Sequence, residues 1–304
     1  MRRLKQEESP PAFLISVFSL PSHLSHTFIS LFALPRLPST AFTYIMGKQI
    51  RVRETVNEAL PSLLKTDFHT NANAVHPLIY NGELNYWPNF CQDIRATMDD
   101  QHWSSRVIGY TLNTRDLDDN KVFVGDETGV QGRFQQAIGQ TLGKVFEAQR
   151  LDIQFADFKC LPNLGNKVPD CIMKTSRDEL KLVGELKVPW VIHHRIKDHL
   201  ELRPFRQKSC FRVLVGQVLR YMKELGCMYG FLSNYEETIF LRQRHNGTTW
   251  VVDCSPVILA SNVYTKGSPM VTVRECFFYI AILARQQGKV DNQLPQKSWV
   301  ESIR

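Results

Sequence analysis

The clearest alternation of apolar and polar positions begins at Asp126. Val130, Phe134, Ile138, Leu142, Val145 and Phe146 recur mostly at three- and four-residue steps, which predicts a helix with Asp126 as its N-cap. Val168 to Lys174 and Leu180 to Val188 are short runs rich in strand formers, and Thr175-Ser176-Arg177-Asp178-Glu179 between them reads as a hairpin turn. A helix is expected from Phe211 to Leu225, with its stripe at Leu214, Val218, Tyr221, Met222 and Leu225 and its stop at Gly226. Strands follow at Met228 to Ser233, Thr238 to Arg242 and Thr249 to Val252. A last helix opens on the capping-box spacing Thr272-x-x-Glu275 and runs to about Arg285. The order helix, strand pair, helix, strand group, helix is that of an α/β domain.

Upstream the pattern is looser. Residues 47–120 read as a helical accessory layer, with a helix near Val56 to Leu64 interrupted by Pro61 and a second from Phe90 to Trp103. Between these lie a polar run from Thr70 to Asn73 and an aromatic patch from Tyr80 to Phe90, and an acidic turn-like stretch follows from Asn113 to Asp119. Residues 121–290 form the core and 291–304 a tail. Residues 1–46 stand apart: Ser9 to Pro35 carries no charge, yet Pro10, Pro11, Pro21 and Pro35 break it, and Glu7 and Glu8 sit where a signal peptide is basic. A non-structural extension, either disordered or lying ahead of a start at Met46-Gly47-Lys48, is the favoured reading. An organelle-targeting leader or a membrane anchor stays open, and no stable membrane span is expected.

With 43% hydrophobic and 22% charged residues over 304 positions, composition excludes wholesale disorder, collagen-like repeats and a multi-span membrane protein. Net charge of +7 tolerates a polyanionic partner. The seven cysteines are scattered and contain no C-x-x-C pair. They read as buried thiols of an intracellular protein, nuclear or cytoplasmic. No phosphate-binding glycine loop, dinucleotide fingerprint, nucleophile elbow or H-E-x-x-H is present, so no nucleotide cofactor is expected.

The hairpin gathers the candidate chemistry. Glu185 and Lys187 project from one face of the second strand, and Pro169-Asp170 lies on the first, within reach of that face. Two carboxylates and an ammonium on a rigid apolar sheet suit Mg2+, with Mn2+ as a substitute, and a metal-assisted phosphodiester hydrolysis.

Pro169-Asp170, a spacer, then Glu185-Leu186-Lys187 resembles the signature of the PD-(D/E)XK nuclease superfamily. Gln217-Val218-Leu219-Arg220-Tyr221 is similar to the Q-x-x-x-Y motif of its RecB-like and lambda-exonuclease-like members, and Glu127 opens the preceding helix. The segments 184–190, 229–233 and 238–242 also resemble a group of fungal proteins related to this superfamily. The likeness spans about Asp126 to Arg285. It implies a restriction-endonuclease-like fold, a central mixed sheet of four to five strands flanked by helices, with an N-terminal helical layer. It further implies that Asp170 and Glu185 ligate Mg2+ through carboxylates, Leu186 through its backbone carbonyl, and Glu127 directly or through water. Glu147 on the same helix is a rival for that last place. Lys187 would position the attacking water, and Gln217 and Tyr221 would hold their helix to the site or contact a phosphate. The expected activity is a Mg2+-dependent nuclease acting on DNA.

Arg195, Lys197, Arg203, Arg206, Lys208, Arg212 and Arg220 form a basic run where a phosphate backbone would approach. His193, His194 and His199 fit no zinc spacing and are expected on the surface. The alternatives are a catalytically silent nuclease-like module that binds nucleic acid or a protein partner, and a secreted effector.

Overall fold

Every residue of Leu180–Leu186 is buried, glutamate and lysine included, which marks this strand as central and covered on both faces. The computed structural model describes residues 49–70, 77–110, 122–162, 168–201 and 209–303. Among these, eight strands make the main sheet: β1 (Glu83–Tyr86), β2 (Gln154–Ala156), β3 (Cys171–Lys174), β4 (Leu180–Leu186), β5 (Tyr229–Ser233), β6 (Glu237–His245), β7 (Trp250–Cys254) and β8 (Ile258–Leu259). Their spatial order is β1-β7-β6-β5-β4-β3-β2, and β8 pairs with β6. The sheet is mixed: β5 runs parallel to β4 and β7 parallel to β1, and the other pairs are antiparallel.

This sheet is larger than the four or five strands expected. The additions are β1, β2 and β8, of two to four residues, too short to show a period of two. β1 comes from the region read as a helical layer. That region also holds four short ribbon strands, Gln49–Arg51, Leu64–Lys65, Leu78–Tyr80 and Val107–Tyr110, beside the helices α1 (Val52–Asn57) and α2 (Phe90–Asp100). Leu64, expected in the first helix, lies in the ribbon strand Leu64–Lys65. The leader and the acidic stretch at Asn113 to Asp119 lie outside the described residues.

Alternation along the central strands divides the core. Leu182, Leu186, Phe231 and Phe240 face one layer with α2, then α3 (Glu127–Phe134), α4 (Thr141–Ala148) and, later in the chain, the helix Val273–Gln286. Val183, Leu232, Ile239 and Leu241 face the other, against α5 (Ile196–Glu201), α6 (Cys210–Leu214) and α7 (Gly216–Glu224). Gly226 stops α7 at φ +64°, as the pattern predicts. The helix Val273–Gln286, α8, carries the expected capping box, Thr272 Oγ1 accepting from Glu275 N at 3.0 Å and Glu275 Oε2 from Thr272 N at 2.8 Å. The last residues are fastened rather than loose: Trp299 is fully buried and donates to Leu219 O at 2.8 Å. Among the described residues, no helix is long and apolar enough to cross a membrane.

The helix begun at Asp126 is one stretch in three parts. Between α3 and α4, Gln135–Gln140 winds as a π-helix, an insertion that apolar spacing alone does not reveal. Thr141 Oγ1 donates to the Gln136 carbonyl, and the buried Arg274 guanidinium donates twice to that of Ala137, at 3.0 and 3.3 Å. These bonds satisfy carbonyls in the widened turn.

Gly184 has a packing reason. A Cβ there would run into the Phe231 ring, itself stacked on Phe134 at 5.3 Å and edge-on to Phe277 at 4.9 Å. Gly184→Ala is therefore expected to destabilise the protein by about 1–3 kcal/mol through overpacking, read as a lowered denaturant midpoint.

Candidate active site

The hairpin register places the cluster. Cys171 pairs with Gly184, so Asp170, one residue before β3, falls opposite Glu185. The turn is the one expected: Thr175 N donates to Glu179 O at 3.0 Å, and Asp178 takes φ +59°. Asp126 caps α3 by accepting from Gly129 N at 2.7 Å, and this sets Glu127 in the first turn beside the strand ends. Glu127, Asp170 and Glu185 each offer a carboxylate oxygen, and these oxygens all lie within 4.8 Å of one another. Glu147, the rival, is exposed and paired with Arg106 at 2.8 Å.

Lys187 Nζ lies 2.7 Å from Glu185 Oε1 and 4.0 Å from Glu127 Oε2. Asp170 accepts from Leu186 N at 2.8 Å and from Gln131 Nε2 at 2.9 Å. Gln131 stands four residues after Glu127, on the same helix face, which is the signal that finds it. Glu185 is 1% exposed, and its Oε2 is buried with no hydrogen-bond partner. The Gln217 amide donates to the Tyr221 hydroxyl at 3.3 Å, while its Oε1 is likewise buried and unpartnered. Burial lifts the Tyr221 hydroxyl, and the Glu185 and Asp170 carboxylates lift it further, which sets it in their field.

Burial also lifts the Asp170 carboxyl to about 6, against the Leu186 N–H and the Lys187 ammonium, which favour its charge. Glu185 is pushed well above the carboxylate range by burial and then by the Asp170 charge. Burial alone would lower Lys187, but Glu185 and Glu127 outweigh it and hold the ammonium above its usual value. The cluster thus has more carboxylate than one lysine neutralises. Hard oxygens, the unpartnered Glu185 Oε2 and carboxyls straining against their own charge fit a divalent cation such as Mg2+.

This strain has a measurable sign. The unfolded chain holds Asp170 near 3.8 and the folded one near 6, so across that window the folded state binds the extra proton and stability falls as pH rises. Asp170→Asn carries no such charge. In chelator it is expected to be more stable than wild type at neutral pH and to lose that advantage near pH 4, read by denaturant midpoints at both.

The described members of the basic run each find a partner within the protein. Arg212 is buried, donating to Tyr80 O at 2.9 Å and Gly82 O at 2.7 Å, so it ties the ribbon strand Leu78–Tyr80 to the core rather than facing a phosphate. Arg220 pairs with Glu224 at 2.9 Å, Arg195 with Asp198 at 3.7 Å and Lys197 with Glu201 at 4.0 Å. Arg203, Arg206 and Lys208 lie outside the described residues.

His193 is exposed as expected, but His194 is buried. Its Nδ1 sits 3.1 Å from Val188 O, where its N–H donates, and the Asn234 amide donates to its carbonyl at 2.9 Å. Burial lowers its imidazole to about 4, so it stays neutral and fastens the chain that leaves Lys187.

No protein-family model matches the chain, and no curated protein matches it in sequence. Among solved structures, the type IIG restriction endonuclease BpuSI aligns at 13% identity and a TM-score of 0.24, a likeness too slight to carry fold or chemistry. The alignment takes in 54% of this chain and 17% of that enzyme's length.

Proposed function

We propose that this protein is a divalent-metal-dependent nuclease of the PD-(D/E)XK kind, hydrolysing phosphodiester bonds of DNA. One observation carries the reading: three carboxylates converge within 4.8 Å, one of them buried with an unpartnered oxygen, beside a buried lysine. Asp170, Glu185 and Glu127, with the Leu186 carbonyl, would hold Mg2+ or Mn2+. When bound, the ion supplies Lewis-acid polarisation of the phosphate and a more acidic water. Lys187, kept cationic by its neighbours, donates hydrogen bonds and takes no proton; it orients the attacking water and offsets charge gathering on the phosphate. The unpartnered Gln217 Oε1 and the Tyr221 hydroxyl lie on α7 beside the cluster, placed to fix that helix or a phosphate.

The test is cleavage of linear and circular DNA, and of RNA, by the full chain in Mg2+ and in chelator. Cutting in Mg2+ that stops in chelator is expected, and sparing of circles would mark an exonuclease. A second reading, a silent module, draws on the close Lys187–Glu185 pair, which neutralises one carboxylate without a metal. It predicts binding to DNA that chelator leaves unchanged, and no cutting.

A further inference from the structure

Beside the carboxylates lies a corner of aromatic side chains to which the hydrolysis reading gives no task. Phe68 is 92% exposed and Phe123 60% exposed. The His69 ring stacks on Trp190 at 4.9 Å and 26°, and His69 Nδ1 is buried without a partner. Two bonds tie this corner to the chain on both sides of the site: Trp190 Nε1 donates to Thr70 O at 2.8 Å, and Thr70 N donates to Gly125 O at 2.8 Å. Trp190 follows Lys187 by three residues, and Gly125 precedes Glu127 by two. The ribbon strand Leu64–Lys65 pairs with Phe123–Val124, and Phe68, three residues after it, lines the same groove as Phe123. A groove of about 550 Å3 runs between Phe68, His69 and Phe123 down to Asp126.

Phenylalanines facing water are costly unless something covers them. The two-residue step from Gly125 to Glu127 and the three-residue step from Lys187 to Trp190 span at most about 10 Å of backbone. A strand whose phosphate lies at the carboxylates therefore has its neighbouring nucleotides within reach of this corner. In a duplex the base faces are already stacked on one another and cannot reach it, whereas an unpaired base offers a flat π-face to any aromatic ring. Such stacking tolerates every base.

We propose that Phe68, Phe123 and the His69–Trp190 stack form a shelf for an unpaired base next to the scissile phosphate, so that the substrate is single-stranded DNA or the single-stranded part of a flap or gap. The proposal rests on the nuclease reading for the position of the phosphate, while the shelf is tested by binding alone.

The experiment uses the full chain in Ca2+, with a labelled oligothymidine and a blunt-ended DNA hairpin, followed by fluorescence anisotropy. Wild type is expected to bind oligothymidine more tightly than the hairpin. The double variant Phe68→Ala, Phe123→Ala should lose roughly tenfold to a hundredfold on oligothymidine and little on the hairpin, with Tm unchanged. Phe68→Trp, which keeps a stacking face, should retain binding. Equal binding by wild type and double variant, equal losses on both ligands, or preference for the hairpin would overturn the shelf. A fall in Tm without a change in binding would show that the chain itself or a protein partner uses these rings. If wild type cuts DNA and the double variant still binds oligothymidine normally, only the shelf fails. If wild type cuts nothing while the double variant loses oligothymidine alone, only the nuclease reading fails.

Discussion

Glu185→Gln is expected to lower Mg2+-dependent cleavage by roughly a thousandfold or more, the loss that follows when several kcal/mol of metal-borne stabilisation leave the transition state. Glutamine has nearly the same shape, so packing around this 1% exposed side chain survives and only charge is removed. Two consequences are joined in that removal. The cation loses its most deeply buried carboxylate, and Lys187 loses the partner 2.7 Å away that does most to keep it protonated against burial. Single-turnover rates at saturating DNA read the first effect. Thermal midpoints read the metal directly: Mg2+ should raise the wild-type Tm through its binding to the folded state and leave the variant's Tm nearly unmoved. A variant that cuts at the wild-type rate would remove Glu185 from the chemistry altogether.

Phe277→Ala is expected to be the most damaging core substitution, at about 3–5 kcal/mol. Phe277 is fully buried on α8, and four rings surround it: Phe240 at 4.8 Å, Phe231 at 4.9 Å, Phe155 at 5.6 Å and Phe134 at 5.7 Å. Three of the four come from strands β2, β5 and β6, and the fourth from α3, so one cavity would loosen the layer that holds Glu127 over the strand ends. Rings on different elements cannot all collapse into the gap, which puts the cost toward the upper part of that range. The check is a guanidinium unfolding curve whose midpoint falls while its slope stays constant. Phe68→Ala, by contrast, should shift the same curve within about 0.5 kcal/mol, since its ring is already in water.

What the sequence shows of the site, it shows through rigid local geometry. Strand alternation fixes Glu185 and Lys187 on one face, and a five-residue turn returns the chain so that Asp170 falls opposite. The choice between Glu127 and Glu147 is not local. Both ride the same helix, and only the cap at Asp126 and the pairing of Glu147 with Arg106 separate them. Arg212 misleads for a related reason: in the sequence it belongs to a basic run, yet its guanidinium finds two carbonyls about 130 residues away. His194 is the converse, a polar side chain buried because its N–H finds a nearby carbonyl that alternation does not reveal. Of the fold, the long periodic elements from Asp126 onward are legible, while β1, β2 and β8 are too short to show a period and exist through their pairing, β1 with a strand from far along the chain and β2 and β8 with nearer ones.

The π-helical turn at Gln135–Gln140 uncouples the two ends of the helix it interrupts. One residue of an α-helix advances by about 100° around its axis, so an extra residue taken up in the wide turn spares the flanking halves a rotation of that size. Glu127 can therefore point to the strand ends while Phe146 stays buried in the core, under a residue count that would not serve both in one regular helix. A protein with the same cluster and an unbroken α-helix would reach its equivalent of Phe146 one residue sooner. The two chains would then align on one side of the turn or on the other, but in a single register never on both.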